Sequence, residues 1–263
     1  MGQSIAIRTF VGGEQVSREQ VRAWEARRAE VVLTKLAGRL GSRAFAELAP
    51  EMHLDDLLSA PLDAQRSALT SMKTRLGHAG VYAVLERDLA ISERMTRTGV
   101  ALSRGRTKHA VIRLEVPGYS AERFAAWFTD LTATNAETDM VDACPDHYLL
   151  RALPDGRQEV VETTGGSPLA TRFLIDYDRT EALTIPVDPR YPQQIAGQAL
   201  LDDDLVIGGV RHQFHDRHGT MEALLTVQFP ASLPARFIHQ HRWHLAVEFS
   251  NWIIAAAPAA STS

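Results

Sequence analysis

The segment His244-Leu-Ala-Val-Glu248 places an imidazole and a carboxylate four residues apart within a stretch, 236–252, that reads as helix. On a helix this spacing stacks both side chains on one face, one turn apart, where they can reach a single metal ion. Phe237, His241 and Asn251 share that face, with Trp252 at its edge, while Ile238, Ala246, Phe249 and Ile253 lie away from it. A helix packed on a sheet should turn apolar residues inward. The polar stripe therefore faces solvent or forms a buried polar site, and the periodicity alone fits both. A buried carboxylate without a partner is costly or becomes protonated. A metal ion removes the conflict by neutralising the charge and using the lone pairs.

Further candidate ligands lie upstream. His147, in Cys144-Pro-Asp-His147-Tyr148, stands at the entry to a strand. In Val160-Val-Glu162-Thr-Thr-Gly-Gly166, Glu162 would share a strand face with Val160, and Glu159 would share one with Val161, so either carboxylate could face a cavity. His212 is the remaining candidate acid, base or substrate-orienting group. In His212-x-x-His215-x-x-His218 the middle imidazole points opposite to the other two on a strand, and His215 and His218 read as surface residues near a turn. Tyr148, Tyr177 and Tyr191 are candidate phenol donors. Asp202-Asp-Asp204 reads as solvated loop charge.

The elements that must position these groups fall into two halves. Residues 17–102 read as helical. Ser17-Arg-Glu-Gln20 has the capping-box pattern, and stretches 54–76 and 81–102 are rich in Ala, Leu, Arg and Glu, with residues 77–80 as punctuation. From residue 107 the period becomes two. Residues 109–116 read as a strand, and Ser120 caps a helix carrying Phe124, Trp127, Phe128 and Leu131 on one face. After a polar stretch, 132–144, strand-like runs follow at 148–153, 159–163, 170–177, 205–214 and 221–229. Pro154-Asp-Gly156 and His218-Gly219 serve as hairpin turns. Pro234 opens the final helix, which runs to about residue 257. Strand, helix, antiparallel strands and one long terminal helix is the order of an α+β helix-grip fold, in which a curved sheet wraps the last helix and leaves a small-molecule cavity. The expected division is 1–105, a helical packing or dimerisation region; 106–258, the metal-binding domain; and 259–263, a flexible tail.

With 263 residues, 45% of them hydrophobic, the chain can bury a large core. The net charge of −4 and the absence of Lys/Arg clusters argue against nucleic acid or an anionic membrane as partner. The single cysteine, Cys144, excludes an intramolecular disulfide and a multi-Cys zinc site, so zinc would use His and carboxylates. Met1-Gly-Gln-Ser-Ile-Ala6 reads as neither signal peptide nor myristoylation site, and no apolar run suits a membrane span. A cytoplasmic protein is expected.

Taken together, Pro-Asp-His147, Val-Val-Glu162 followed by Gly165-Gly166, Val210-Arg-His212-Gln, Gly219-Thr-Met-Glu222 and His244-x-x-x-Glu248 resemble the 2,4-diacetylphloroglucinol hydrolase family, which includes phloretin hydrolases. The resemblance covers about residues 107–255. It implies a Bet v 1-like helix-grip domain, a homodimer, and one zinc ion per chain held by His147, Glu162, His244 and Glu248, another divalent ion being an alternative. It also implies hydrolysis, by metal-bound hydroxide, of the carbon–carbon bond between an acyl group and a phenolic or β-diketone-like ring. His212 matches a pocket histidine of the family. Trp127, Tyr148, His241 and Trp252 are the expected substrate-binding residues. The positions where the family carries pocket Tyr, Asn and Tyr fall near Asp139, at Leu150 and near Val227, so the substrate pocket differs from the pattern. Two other functions fit the same motifs: a metal-dependent lyase, cyclase or isomerase acting on an enolisable polyketide-like substrate, and a non-catalytic small-ligand carrier.

Overall fold

The computed structural model describes residues 5–50 and 52–257; the tail expected at 259–263 and the start of the Met1–Ala6 segment lie outside the described residues. Among the described residues nine strands form one wholly antiparallel sheet: β1 (Arg8–Val11), β2 (Glu14–Val16), β3 (Thr107–Pro117), β4 (His147–Ala152), β5 (Gln158–Glu162), β6 (Thr171–Asp176), β7 (Gln193–Leu200), β8 (Val206–Arg217) and β9 (Thr220–Pro230). Their order is β2-β1-β3-β9-β8-β7-β6-β5-β4. The helices are α1 (Arg18–Leu48), α2 (Leu54–Ser59), α3 (Leu62–Ser103), α4 (Ala121–Ala133), α5 (Glu137–Asp142) and α6 (Ala235–Ala255). The fold is therefore α+β, with a large antiparallel sheet.

The local signals explain most boundaries. Ser17 and Gln20 close the capping box on α1 through reciprocal bonds of 3.2 and 2.8 Å. Ser120 caps α4. His218 and Gly219, at φ 50° and 72°, make the left-handed turn that joins β8 to β9 with the twist a tight hairpin requires. The helix expected at 54–76 is interrupted at Pro61, which lacks an N–H and holds Ala60 in extended backbone, so α2 ends and α3 begins. Gly77, at φ 61° and ψ 178°, breaks α3 within the expected punctuation.

The first 105 residues are not wholly helical. Gly12 and Gly13, both at positive φ, turn β1 into β2, and β1 pairs with β3 from Arg8↔Glu115 to Val11↔Ile112. The expected boundary at residue 105 is therefore crossed by sheet hydrogen bonds. One core lies where α4 and α6 meet the sheet, around Phe124, Phe214, Leu225 and Phe249. A second joins α1 and α3 to the opposite face of β4 and β5, through Leu33, Met72, Tyr148, Leu149 and Val161. Alternation along β5 divides the two: Val160 faces the first core and Val161 the second. No helix among the described residues is long and apolar enough to cross a membrane.

Candidate metal centre and cavity

The antiparallel register of β4 and β5 sets His147 directly opposite Glu162. Directly opposed residues project on the same face, here the one that α6 covers. From α6, His244 and Glu248 descend to the same point. The two imidazole Nε2 atoms are 3.2 Å apart. Glu162 Oε2 lies 3.8 Å from His147 Nε2 and 3.7 Å from His244 Nε2. The Glu248 carboxylate lies 3.5 Å from His147 Nε2 and 4.0 Å from His244 Nε2. Both histidines are buried.

The outer edges of the two rings fix where their lone pairs point. His147 Nδ1 is 3.0 Å from the Met140 carbonyl, which can only accept, so Nδ1 carries the proton and Nε2 is bare. His244 Nδ1 faces Cys144 Sγ at 3.7 Å and Asp146 Oδ2 at 3.9 Å. At 3.2 Å from the bare His147 Nε2, the His244 Nε2 either turns a proton toward it or shares a cation with it. Burial and the neighbouring His244 push His147 down to about 3. Burial also opposes charging of His244, but Cys144, Glu162 and Asp146 overcome it and hold that group well above its ordinary value. Burial raises Glu162 and lifts Glu248 to about 8.

Cys144, His147 and His244 form a buried group whose ligand atoms lie within 4.8 Å of one another and could hold a metal ion. Within it, Sγ approaches the Nδ1 edge of His244, whereas Glu162 and Glu248 approach the Nε2 edge that His147 shares. Donors bound at about 2.0–2.1 Å around a tetrahedral ion sit roughly 3.3–3.4 Å apart. The His–His contact of 3.2 Å and the His–carboxylate contacts of 3.5–4.0 Å are close to that spacing.

Behind the cluster, Arg28 of α1 grips Asp146 with a two-pronged ion pair, Nη2–Oδ1 2.7 Å and Nε–Oδ2 2.9 Å. Lys73 of α3 donates to the Pro145 carbonyl at 2.8 Å. Two helices of the first 105 residues thus fasten the loop that carries His147. Nothing in the spacing of the sequence marks Arg28 or Lys73 for this task.

In front of the cluster a cavity of about 740 Å³ opens between the sheet and α6. Glu162, His244, Glu248, His212, His241 and Trp252 line it. His212 stands on β8 against Phe249, with ring centroids 4.7 Å apart, and burial pushes it down to about 3. His241 stacks on His244 at 4.9 Å. Both Nδ1 atoms are buried without a hydrogen-bond partner among the described residues. Of the three candidate phenols Tyr177 lines the cavity, where its hydroxyl donates to Gln158 Oε1 at 2.8 Å.

Two expected substrate-binding residues are displaced. Tyr148 follows His147 on β4, so alternation turns it to the opposite face, into the core beneath α1 and α3 with Lys73 over its ring. Trp127 does not line the cavity. It stacks on Phe124, and Phe128, one residue later, takes the cavity position. Glu159, the alternative to Glu162, also faces away and is held by Tyr82, Arg151 and Arg172. His215 pairs with Glu222 at 3.1 Å, and His218 occupies the hairpin turn, so neither joins the site. Asn251 turns from the cavity to donate to Glu25 of α1 and to the Ala143 carbonyl.

No known family model matches the chain, and no curated protein matches it. Among solved structures, a protein of Mycobacterium smegmatis aligns at 13% identity and a TM-score of 0.33, covering 60% of this chain and 98% of its own. An uncharacterized protein of Rhizobium leguminosarum aligns at 17% identity and a TM-score of 0.29, covering 56% and 96%.

Proposed function

We propose that the protein is a zinc-dependent hydrolase that cleaves the carbon–carbon bond between an acyl group and a phenolic or β-diketone-like ring. We assign the ion to His147, Glu162, His244 and Glu248, within a helix-grip domain of the Bet v 1-like kind. The observation that carries the reading is the meeting of the His147 and His244 Nε2 atoms with two carboxylates beside a large, mainly apolar cavity. Cys144 is left as an orienting neighbour of His244, because its sulfur lies at the ring edge remote from the other donors.

A divalent ion in this place would supply Lewis acidity and an acidic bound water. The rest falls to the chain. The Met140 carbonyl sets the tautomer of His147, and Asp146 stands at the Nδ1 edge of His244, the places that outer partners of ligating imidazoles take. The apolar walls exclude bulk water, which strengthens every polar contact with a bound ring. His241 and the Tyr177 hydroxyl present polar atoms to the ring oxygens. His212, neutral at pH 7 because of its burial, accepts or relays a proton rather than storing one. Overall, water adds across the scissile bond: the acyl carbon gains hydroxyl and leaves as a carboxylic acid, while the ring carbon gains hydrogen.

The test is metal analysis of freshly purified protein, paired with assay of acylphloroglucinols for released acid. Stoichiometric zinc that is lost in Glu248→Ala, together with acid release, supports the reading. Protein without metal refutes the ion assignment. A product of unchanged mass replaces hydrolysis with isomerisation or cyclisation at the same site.

A further inference from the structure

The cavity is polar at one end and apolar at the other. Of its described lining residues, three carry a buried polar atom without a partner: His212 Nδ1, His241 Nδ1 and Trp252 Nε1. Two of them adjoin the ligand cluster, His241 stacked on His244 and Trp252 with its centroid 6.0 Å from that of His147. Two other polar side chains in the walls are engaged: Gln158 with Tyr177 and Met140, and Gln228 with Thr184 and Ala182. Unspent hydrogen-bonding capacity is thus gathered at the floor.

At the rim Arg94, Thr98 and Arg236 are exposed, and an apolar row stands beside them. Met95, Gly99 and Leu102 stand at i, i+4 and i+7 on α3 and line the opening together with Leu233 and Phe237. Met95 is 63% exposed and Leu102 67%, the two most exposed large apolar side chains described. The rim is firmly built. The Gly99 carbonyl accepts from Ser103 Oγ at 2.7 Å and from Ser232 Oγ at 2.8 Å, which ties α3 to the segment entering α6. A side chain at Gly99 would meet Ser232 Oγ at 3.1 Å, so it would crowd this tie. The exposed apolar pair is continuous with Val210, Val227 and Phe229 inside.

We propose that the substrate has two parts: an oxygen-bearing ring held at the floor beside Glu162, His244 and Glu248, and a hydrocarbon chain of several methylenes that runs along the cavity to the rim formed by Met95 and Leu102. The proposal rests on the site reading above and specifies its substrate class. A short acyl substituent would leave the outer cavity and its rim unfilled; a longer chain covers both. The α3 helix then recognises ligand as well as packing on the sheet.

The experiment uses the zinc-loaded full chain and calorimetric titration with 4-alkylresorcinols, from ethyl to octyl, which carry the phenolic ring but no acyl bond to cleave. Affinity is expected to rise roughly fourfold per added methylene in the wild type, as burial of each CH2 predicts. Met95→Asp and Leu102→Asp, at exposed helix positions, are expected to leave the melting temperature and ethyl-ligand affinity unchanged while weakening octyl binding tenfold or more. A flat chain-length series, no binding of any member, or octyl binding unaffected by both variants overturns the proposal. A change in oligomeric state in the variants with octyl binding intact also overturns it, and identifies the rim as a contact between copies. A steep series with no acid released from acylphloroglucinols refutes the hydrolase reading alone; acid release with a flat series refutes this inference alone.

Discussion

Arg28→Met tests whether the N-terminal helices are part of the metal centre. Asp146 is fully buried, and the Arg28 side chain is 12% exposed. Burial works against the Asp146 carboxylate, but the facing His244 and the Arg28 fork outweigh it and hold the group below its ordinary value. At 3.9 Å His244 acts through charge, so the fork supplies the hydrogen bonds. Removing one partner of a buried pair costs about 3–5 kcal/mol, because the remaining charge is stranded. A group with a depressed folded pKa contributes stability above its unfolded pKa and loses it as pH falls through the folded value. Without Arg28 the Asp146 pKa rises, so the deficit should be largest at neutral pH and shrink toward acid. Zinc affinity should fall about 10- to 100-fold as His244 loses its oriented neighbour. Urea unfolding between pH 4 and 8, with competitive zinc titration, measures both. The double variant Arg28→Met/Asp146→Asn should recover most of the stability but not the zinc affinity. Loss of less than about 1 kcal/mol with zinc affinity intact would refute the argument that this ion pair supports the centre.

Chelation should lower the melting temperature and added zinc should restore it; an ion present at 1,000 times its dissociation constant contributes about 4 kcal/mol by mass action, and a thermal melt insensitive to chelator and zinc counts against the site. His212 supplies a pH signature. Its pKa falls from 6.5 to about 3 on folding through burial, so below pH 6.5 the unfolded chain takes up a proton that the folded one refuses, and stability declines. Between pH 6.5 and 4.5 that decline is about 2 kcal/mol, and unfolding curves of His212→Asn should lack that share of it. Gly165→Ala should destabilise the protein by about 1–3 kcal/mol, measured by urea unfolding, because Gly165 sits at φ 51° with Phe237 O only 2.3 Å from where a Cβ would lie.

Much of the site was legible because its signals are local. A helical i, i+4 pair, a strand histidine and a strand carboxylate each follow from periodicity, and the helix and hairpin caps at Ser17, Ser120 and His218-Gly219 have short-range chemistry. What escaped has long-range causes. Whether Glu159 or Glu162 faces inward depends on which side of the sheet α1 and α3 cover, and no window of sequence contains that. Tyr148 was misplaced for the same reason: adjacency to His147 in sequence means opposition across the sheet. β1 and β2 were missed because three or four residues with a Gly-Gly turn give too little alternation to detect. β7 was missed because Gln193, Gln194 and Gln198 interrupt its apolar pattern, although four of its eight residues are buried. Arg28 is one basic residue among many on α1, and its partner lies 118 positions away.

The charge that the proposed ion would need follows from the balance of groups around its ligands. Arg28 and Asp146 cancel each other. His147 and His244 are neutral when their Nε2 atoms are bare, which ligation requires. Two carboxylates remain, Glu162 and Glu248, with no Lys or Arg in the ion pairs found at either. Burial makes each resist ionisation, pushing Glu162 up and Glu248 to about 8, and a cation beside them would favour the charged, ligating form. A divalent ion brings the floor to neutrality. A monovalent ion leaves one buried negative charge, and a trivalent ion leaves one positive charge, each costly in an apolar cavity. On the proposed ligand set, charge balance would favour a divalent ion over a monovalent or trivalent one, which metal analysis across zinc, iron and cobalt tests directly.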